Sequence, residues 1–467
     1  MLKTQPWMFN TPDLHFELDQ SRDEGKNIDG YAEKIAAIKA MPEGDPERET
    51  LAGALLDEMI ALPAKPGYRF NEPSDLAGIR AQRPSHAADW NSQGTIPSEE
   101  VLYDRIYGAW LGRCAGCLLG QPIEGWRRER ILGLLKETGN YPILSYISSD
   151  IGETLRKKYD VSDVGHVYGG DKKNWINNVA YMPEDDDTNY TLIGLKVLET
   201  YGADFTPDDV AEAWLANLPL FHVCTAERVA YRNLAASIPP PQSASFRNVY
   251  REWIGAQIRA DFFGYATPGN PELGAEMAWR DASISHVKNG IYGEMFVAAM
   301  LSAAATSSGV LEVIQAGLAQ IPEKSRLAEE VLETIQWKTG EEIDWETALD
   351  RIHARYDEKN GHDWCHTVSN ALIVVVGLLY GGLDLGNSIG IAVAGALDTD
   401  CNGATVGSIV GMMVGAAKLP ASWVDPLCDT LKSGVDGFGM VKISDMAKRT
   451  IKVIRTMQVI RTRSTPE

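Results

Sequence analysis

Three observations predict an all-α fold. Apolar residues recur at helical spacing in one segment after another, short Gly- and Pro-containing breaks divide these segments, and strictly alternating strands are scarce. Helices are expected over 104–119, 188–201, 207–216, 272–283, 289–306, 325–336, 344–356, 367–381 and 403–417. The chain has 467 residues, 44% of them apolar, enough for a large core. Residues 101–460 read as one multi-helix globule.

Residues 1–100 differ in texture and read as an N-terminal extension. Two helix-like stretches, "DGYAEKIAAIKAMP" and "RETLAGALLDEMIALPA", precede the Pro-, Ser- and Asp-rich "EPSDLAGIRAQRPSHAADWNSQGTIPSEE", expected to wrap a surface irregularly. Residues 140–180 read as an insertion of loops with one short helix.

The charge balance, 44 basic against 64 acidic residues for a net −20, argues against a nucleic-acid backbone or an anionic membrane as main partner. The longest apolar run, "ALIVVVGLLYGGL" (371–383), has 13 residues. A membrane span needs roughly 20, so a buried core helix is expected. Six cysteines in so long a chain form no disulfide framework. The N-terminal stretch carries no apolar run of signal type, and a cytoplasmic location is expected.

Two segments carry glycine at every fourth residue: Gly108, Gly112, Gly116 and Gly120, then Gly403, Gly407, Gly411 and Gly415. Four-residue spacing is one ridge of a helix. Each such glycine costs roughly 1 kcal/mol against alanine, so close approach of two helix backbones is expected. Membrane helices pack this way too, but Arg113 and the short spans disfavour that here.

Carboxylates stand beside both ladders and at a third place. Glu124 follows the first ladder in "GQPIEGW". Asp398 and Asp400 precede the second in "LDTDCN". "PEDDDT" gathers Glu184, Asp185, Asp186 and Asp187 before an apolar helix. One acid suffices to cap a helix N-terminus. Residues two apart diverge by about 200° on a regular helix, so Asp398 and Asp400 converge only from a cap or loop. The surplus negative charge points to bound cations, and oxygen donors select hard ones such as Mg²⁺, Mn²⁺ or Ca²⁺.

The three stations together resemble the ADP-ribosylglycohydrolase family, over about 104–418 and in the same order. "GAWLGRCAGCLLGQPIE" resembles its opening G-x-x-x-G-x-x-x-G-D-x-x-G-x-P-x-E, ending on Glu124. "DDDT" resembles its T-D-D-T, at Asp185 to Thr188. "LDTDCNGATVGSIVGMMVGA" resembles its D-T-D-T/S element, at Asp398, Asp400 and Cys401. A looser match over 255–286 places Gly255, Arg259 and His286 near substrate. The resemblance implies an all-α hydrolase with two divalent cations, usually Mg²⁺ with Mn²⁺ possible. Its ligands would be Asp185, Asp186, Asp187, Asp398, Asp400 and Glu124, with Glu124, Asp187 and Asp400 at the chemistry. The substrate would be an ADP-ribosylated protein or a smaller ribosyl compound, cleaved at the ribose anomeric carbon. A catalytically silent ADP-ribose or nucleotide binding protein of the same fold is the alternative.

The sequence departs from that pattern at four places. Asp185 stands for a threonine, Cys401 for a hydroxyl and Cys117 for a common aspartate, and the Ser-Asn-Gly loop is absent at "EWIGAQIR". Thiols suit Mg²⁺ poorly and carboxylates suit it well. Asp185 is therefore expected to take up coordination that Cys401 gives up, leaving Cys401 as a packing residue. Three further motifs are read as structural. Cys114-Ala-Gly-Cys117 lacks a second CxxC for zinc, "HDWCH" (362–366) lacks the glutamate of HExxH, and "YGGDKKNW" reads as a polar turn before a phosphate loop.

Overall fold

The computed structural model describes residues 8–90, 96–165, 168 and 172–464. All nine expected helices are present, as Glu99–Gly120, Asp186–Tyr201, Pro207–Asn217, Pro271–Ala282, Asn289–Ala304, Arg326–Thr339, Trp345–Arg355, Thr367–Tyr380 and Thr399–Val414. The one named sheet among the described residues is an antiparallel ribbon, Thr430–Lys432 with Met440–Lys442. The fold is all-α. Local sequence sets several helix starts. Thr206 and Asp209 form a reciprocal capping box ahead of Pro207, and Asn270 caps the helix that opens on Pro271. The described residues of 140–180 are mostly loop, with the short helix Glu153–Lys158. No described helix is long and apolar enough to cross a membrane.

The two glycine ladders meet face to face and antiparallel at the centre of the molecule. A Cβ added at Gly108, Gly112 or Gly116 would run into the backbone carbonyl of Gly411, Gly407 or Gly403, and the reverse holds for each partner. At the end of the first ladder Gly120 faces the backbone of Thr399 and Asp400, and Thr399 Oγ1 donates to the Gly120 carbonyl at 3.0 Å. The two helices are thus locked in register. The end of one helix and the start of the other, each beside an acidic station, lie side by side.

Arg113, wholly buried on the first ladder helix, ties further elements to it. Its guanidinium donates to the Asp187 carbonyl (2.7 Å), the Ile258 carbonyl (2.6 Å) and the carboxylates of Asp187 (3.0 Å) and Asp261 (2.8 Å). Each of its three nitrogens has a partner, as a buried charge requires.

The first hundred residues contribute four helices, Phe16–Asp23, Tyr31–Lys39, Pro46–Ala61 and Leu76–Ala81. They dock through buried ion pairs rather than an irregular wrap alone. Glu17 and Glu24 bracket Arg251 at 2.6 and 3.1 Å. Glu72 pairs with Arg326 at 2.9 Å, and Arg326 also holds Glu252 at 2.6 Å. Gln20 Nε2 donates to Glu252 Oε1 at 2.6 Å. Breaking such a pair strands a charge and costs about 3–5 kcal/mol.

Two predictions follow from these contacts. By helix propensity alone Gly112→Ala should stabilise the chain by about 1 kcal/mol. Because its Cβ meets a backbone carbonyl that no rotamer change can move, we expect a loss of roughly 3 kcal/mol instead, read from denaturant unfolding; stabilisation would refute the contact. The second concerns Glu252. Burial would raise its carboxyl, but Arg326 and then Lys288 outweigh it and hold it below the usual range. A carboxyl depressed on folding adds stability above its unfolded value, about 4.3, and loses it as pH falls through the native value. Glu252→Gln should therefore cost roughly 3 kcal/mol at neutral pH and flatten the fall in stability below about pH 4.3. An unchanged acid slope would show that the network does not hold this segment.

Candidate metal centre and active site

The ladder contact delivers the stations to one place. Glu124 lies just past the turn Gln121–Ile123 that ends the first ladder helix. Asp398 is the N-cap residue of the second, Asp400 is in its first turn, and the cap geometry lets both point the same way. The chain enters this turn under strain: Ala396 and Leu397, neither a glycine, both have left-handed backbones, at φ 57° and 55°. Asn370 Oδ1 steadies it by accepting from the Asp398 amide at 3.2 Å. From the third station Asp185 caps the helix Asp186–Tyr201, accepting from the Asp187 amide at 3.0 Å. Gln121 Nε2 donates to its other oxygen at 2.6 Å. Asp398 makes no such capping bond, so helix capping does not account for it.

Ligand atoms of Cys117, Asp185, Asp187 and Asp400 lie within 4.8 Å of one another, and so do those of Asp398, Asp400 and Cys401. Asp400 belongs to both groups. Asp186 and Glu124 fall outside both groups but line the adjoining cavity. Glu184, the first acid of the run, turns away to His222 Nδ1 (2.5 Å) and Asn189 Nδ2 (3.2 Å).

Burial and mutual repulsion push all six site carboxyls up. For Asp185 the causes are burial and then the charge of Asp187; for Asp186, burial and then Asp185. Asp187 is raised by burial although Arg113 opposes it. Asp398 is raised by burial, and Asp400 well above its usual range by burial, Glu124 and Asp398. Glu124 is open to the cavity's solvent, yet the protein walls around it and the charges of Asp398 and Asp185 still drive it upward. Asp187 Oδ2, Asp398 Oδ1 and Asp400 Oδ1 are buried with no hydrogen-bond partner. Orphaned carboxylate oxygens among like charges are costly unless a cation meets them. The residues present therefore fit a divalent metal centre.

A cavity of about 590 Å³ opens over these acids, within the range of small-molecule sites. Gly255 and Glu227 form part of its wall. Any side chain at Gly255 would collide with the Glu227 carboxylate, so the glycine makes room for an acid that the sequence reading missed. Burial pushes the Glu227 carboxyl up to about 7, against the pull of Arg259.

Arg259 and His286, expected at the substrate, stand instead one layer behind this wall. The Arg259 guanidinium is buried between Glu227 (2.8 Å) and Asp281 (2.5 Å), over the Trp214 ring. Three carboxylates, Glu294 included at 3.5 Å, already claim that one cation. His286 Nδ1 pairs with Ser285 Oγ at 2.8 Å, and its Nε2 lies 4.0 Å from Glu227. Burial and the Arg259 charge keep it neutral. Neither side chain lines the cavity.

The other motifs resolve as follows. His362 ends up beside Asp23 and His366. Trp253 Nε1 donates to His362 Nδ1, and the Val368 amide donates to His366 Nδ1, both at 3.1 Å. His362 Nε2 lies 2.9 Å from Asp23, whereas His366 Nε2 lies 3.9 Å away and has no hydrogen-bond partner. The contact between His362 and Asp23 ties the N-terminal segment to this helix start, and the three side chains lie close enough together to share a metal ion. His366 is the N-cap of the Thr367–Tyr380 helix, the expected helix start. Cys114 is a buried packing residue, whereas Cys117 and Cys401, expected to pack, lie among the carboxylates. Of "YGGDKKNW", 169–171 fall outside the described residues, and Tyr168, Lys173 and Asn174 line the cavity.

A sequence profile described as ADP-ribosylglycohydrolase matches residues 98–458. No curated protein matches the chain. A solved structure described as "ADP-ribosylglycohydrolase-related protein complex" is 19% identical, covers 77% of this chain and 99% of its own, and superposes with a TM-score of 0.44, a likeness too low to argue from. The profile spans well over half of the chain, and it runs through all three acidic stations: the chain belongs to the ADP-ribosylglycohydrolase family.

Proposed function

We propose that the protein is a metal-dependent hydrolase that cleaves a ribosyl glycosidic bond, in an ADP-ribosylated protein or a related ADP-ribose or nucleoside compound. The observation that carries this reading is the convergence of six carboxylates, three with orphaned oxygens, beneath a cavity of about 590 Å³. Residues 101–460 form the catalytic domain and residues 1–100 an arm docked on it. Free cysteines throughout are in keeping with a cytoplasmic protein.

Asp185, Asp186, Asp187, Asp398 and Asp400, with Glu124 at the edge, would hold two divalent cations of the Mg²⁺ or Mn²⁺ kind. When bound, these supply a Lewis-acid template for ribose hydroxyls and water. The chain's own residues do the rest. The negative floor favours the cationic character that develops at the anomeric carbon as the bond breaks. Glu124 faces the cavity beside Asp398 and Asp185, placed to orient water and accept its proton. Gly255 lines the cavity and admits Glu227, whose carboxylate Arg259 and His286 position from behind. Lys173 at the rim is available to a phosphate.

The test is purified protein incubated with ADP-ribosyl-arginine, ADP-ribosyl-serine and simple nucleosides, before and after chelation. Release of free ADP-ribose or ribose should stop on chelation and return with Mg²⁺ or Mn²⁺. Full turnover in metal-free protein would sink the proposal, and binding without turnover would favour the silent binding protein. Asp400→Asn should lower turnover by about 10²-fold or more. Because it removes an unmatched charge, metal-free stability should hold or rise slightly, while the rise in Tm on adding metal shrinks. A loss of several kcal/mol without metal would make Asp400 a structural residue.

A further inference from the structure

We propose that Cys117 and Cys401 are metal donors, and that their sulfurs make the centre prefer a borderline, thiol-accepting divalent cation such as Zn²⁺ or Co²⁺ over Mg²⁺ at one position or both. The inference rests on the metal-centre reading above and concerns which ion these particular donors select.

Three observations carry it. First, each ligand group contains a sulfur: Cys117 with Asp185, Asp187 and Asp400, and Cys401 with Asp398 and Asp400. Second, both thiols are buried and neither is in a disulfide, and Cys401 already hydrogen-bonds the carboxylates of Asp187 and Asp398. Third, the carboxylates beside them retain orphaned oxygens at Asp187, Asp398 and Asp400. The same vacancy that calls for a cation is therefore bordered by sulfur. Asp185 spends one oxygen on the Asp187 amide and the other on Gln121. It belongs to the group of Cys117 and not to that of Cys401, so it does not take up the coordination expected of it there.

The chemistry of the donor set decides between ions. Mg²⁺ demands near-octahedral oxygen and holds thiols weakly. Zn²⁺ and Co²⁺ accept mixed sulfur and carboxylate shells, with metal–sulfur lengths near 2.3 Å and metal–oxygen lengths near 2.0 Å. The first group offers one sulfur and three oxygens, the count of a four-coordinate site. On binding, each S–H bond breaks as the S–metal bond forms, and the proton leaves to solvent, with no change of oxidation state.

The test uses metal-free full-length protein carrying Cys428→Ser, which removes an exposed thiol, titrated with Co²⁺. A sulfur-to-cobalt charge-transfer band should rise in the near ultraviolet and saturate at no more than two equivalents. It should weaken in Cys117→Ser and in Cys401→Ser, vanish in the double variant, and persist in Cys224→Ser and Cys365→Ser, whose thiols line the cavity outside both groups. Mg²⁺ should displace Co²⁺ only at about 100-fold excess or more, and the double variant should cut that excess roughly tenfold. Saturable Co²⁺ binding without the band, or displacement by equimolar Mg²⁺, would overturn the proposal while leaving the metal centre standing. If the Cys117 and Cys401 variants fail to fold, loss of the band in the Cys224→Ser/Cys365→Ser/Cys428→Ser protein overturns the proposal and its persistence upholds it. Absence of any Co²⁺ or Mg²⁺ binding by calorimetry would instead remove the metal centre itself.

Discussion

The rest of the structure depends on the bare contact between two helix backbones. Gly108, Gly112 and Gly116 lie against Gly411, Gly407 and Gly403 with no room for a methyl group on either side. Contact this close is dispersive and steric, made by many weak attractions at short range, and it tolerates no slippage. Sliding by one turn would still align glycines, but it would part Gly120 from the Thr399 hydroxyl and the Asp400 backbone. The ladders therefore fix where Cys117, Glu124, Asp398 and Asp400 stand.

That placement concentrates negative charge where the fold provides only partial relief. Arg113 is the cation at the foot of the site, and Asp261 and a single oxygen of Asp187 consume it. Arg259, the other buried guanidinium nearby, serves Glu227, Asp281 and Glu294 instead. Unpaired buried charge is tolerated at functional sites and offset elsewhere. The N-terminal segment docks through buried pairs. These converge on Arg251 and Glu252, a few residues before Ile254 and Gly255 in the cavity wall. The wall segment is held further by the Ile254 amide on the Cys365 carbonyl at 2.8 Å. The N-terminal helices thus bond to the chain just before it enters the cavity lining.

Much of this was legible in the sequence, for physical reasons. Helical periodicity and four-residue glycine spacing are local signals, and both survive folding unchanged. Asp398 and Asp400 could be assigned to a cap because a regular helix would point them apart. What was illegible depends on pairings across long stretches of chain. Glu227 is one acid in an ordinary amphipathic helix until Gly255 opens a space in front of it. Arg259 resembles a substrate contact until Asp281 and Glu227 claim it. His362 and His366 share a helical spacing, but a helix ends between them, and Asp23, far away in sequence, explains their orientation. The thiol of Cys117 looked like packing because nothing local says which face of its helix meets Asp185 and Asp187.

The central claim is that the converged carboxylates exist to hold cations, and anomalous diffraction from crystals grown with Mn²⁺ tests it most directly. The account predicts two anomalous peaks, roughly 3.5–4 Å apart as in two-metal sites. One should lie among Asp185, Asp187 and Asp400 and the other beside Asp398 and Asp400, with Asp400 touching both. Crystals saturated with Mn²⁺ that show no peak among these residues, with Asp187 and Asp400 hydrogen-bonded as neutral acids, would contradict it.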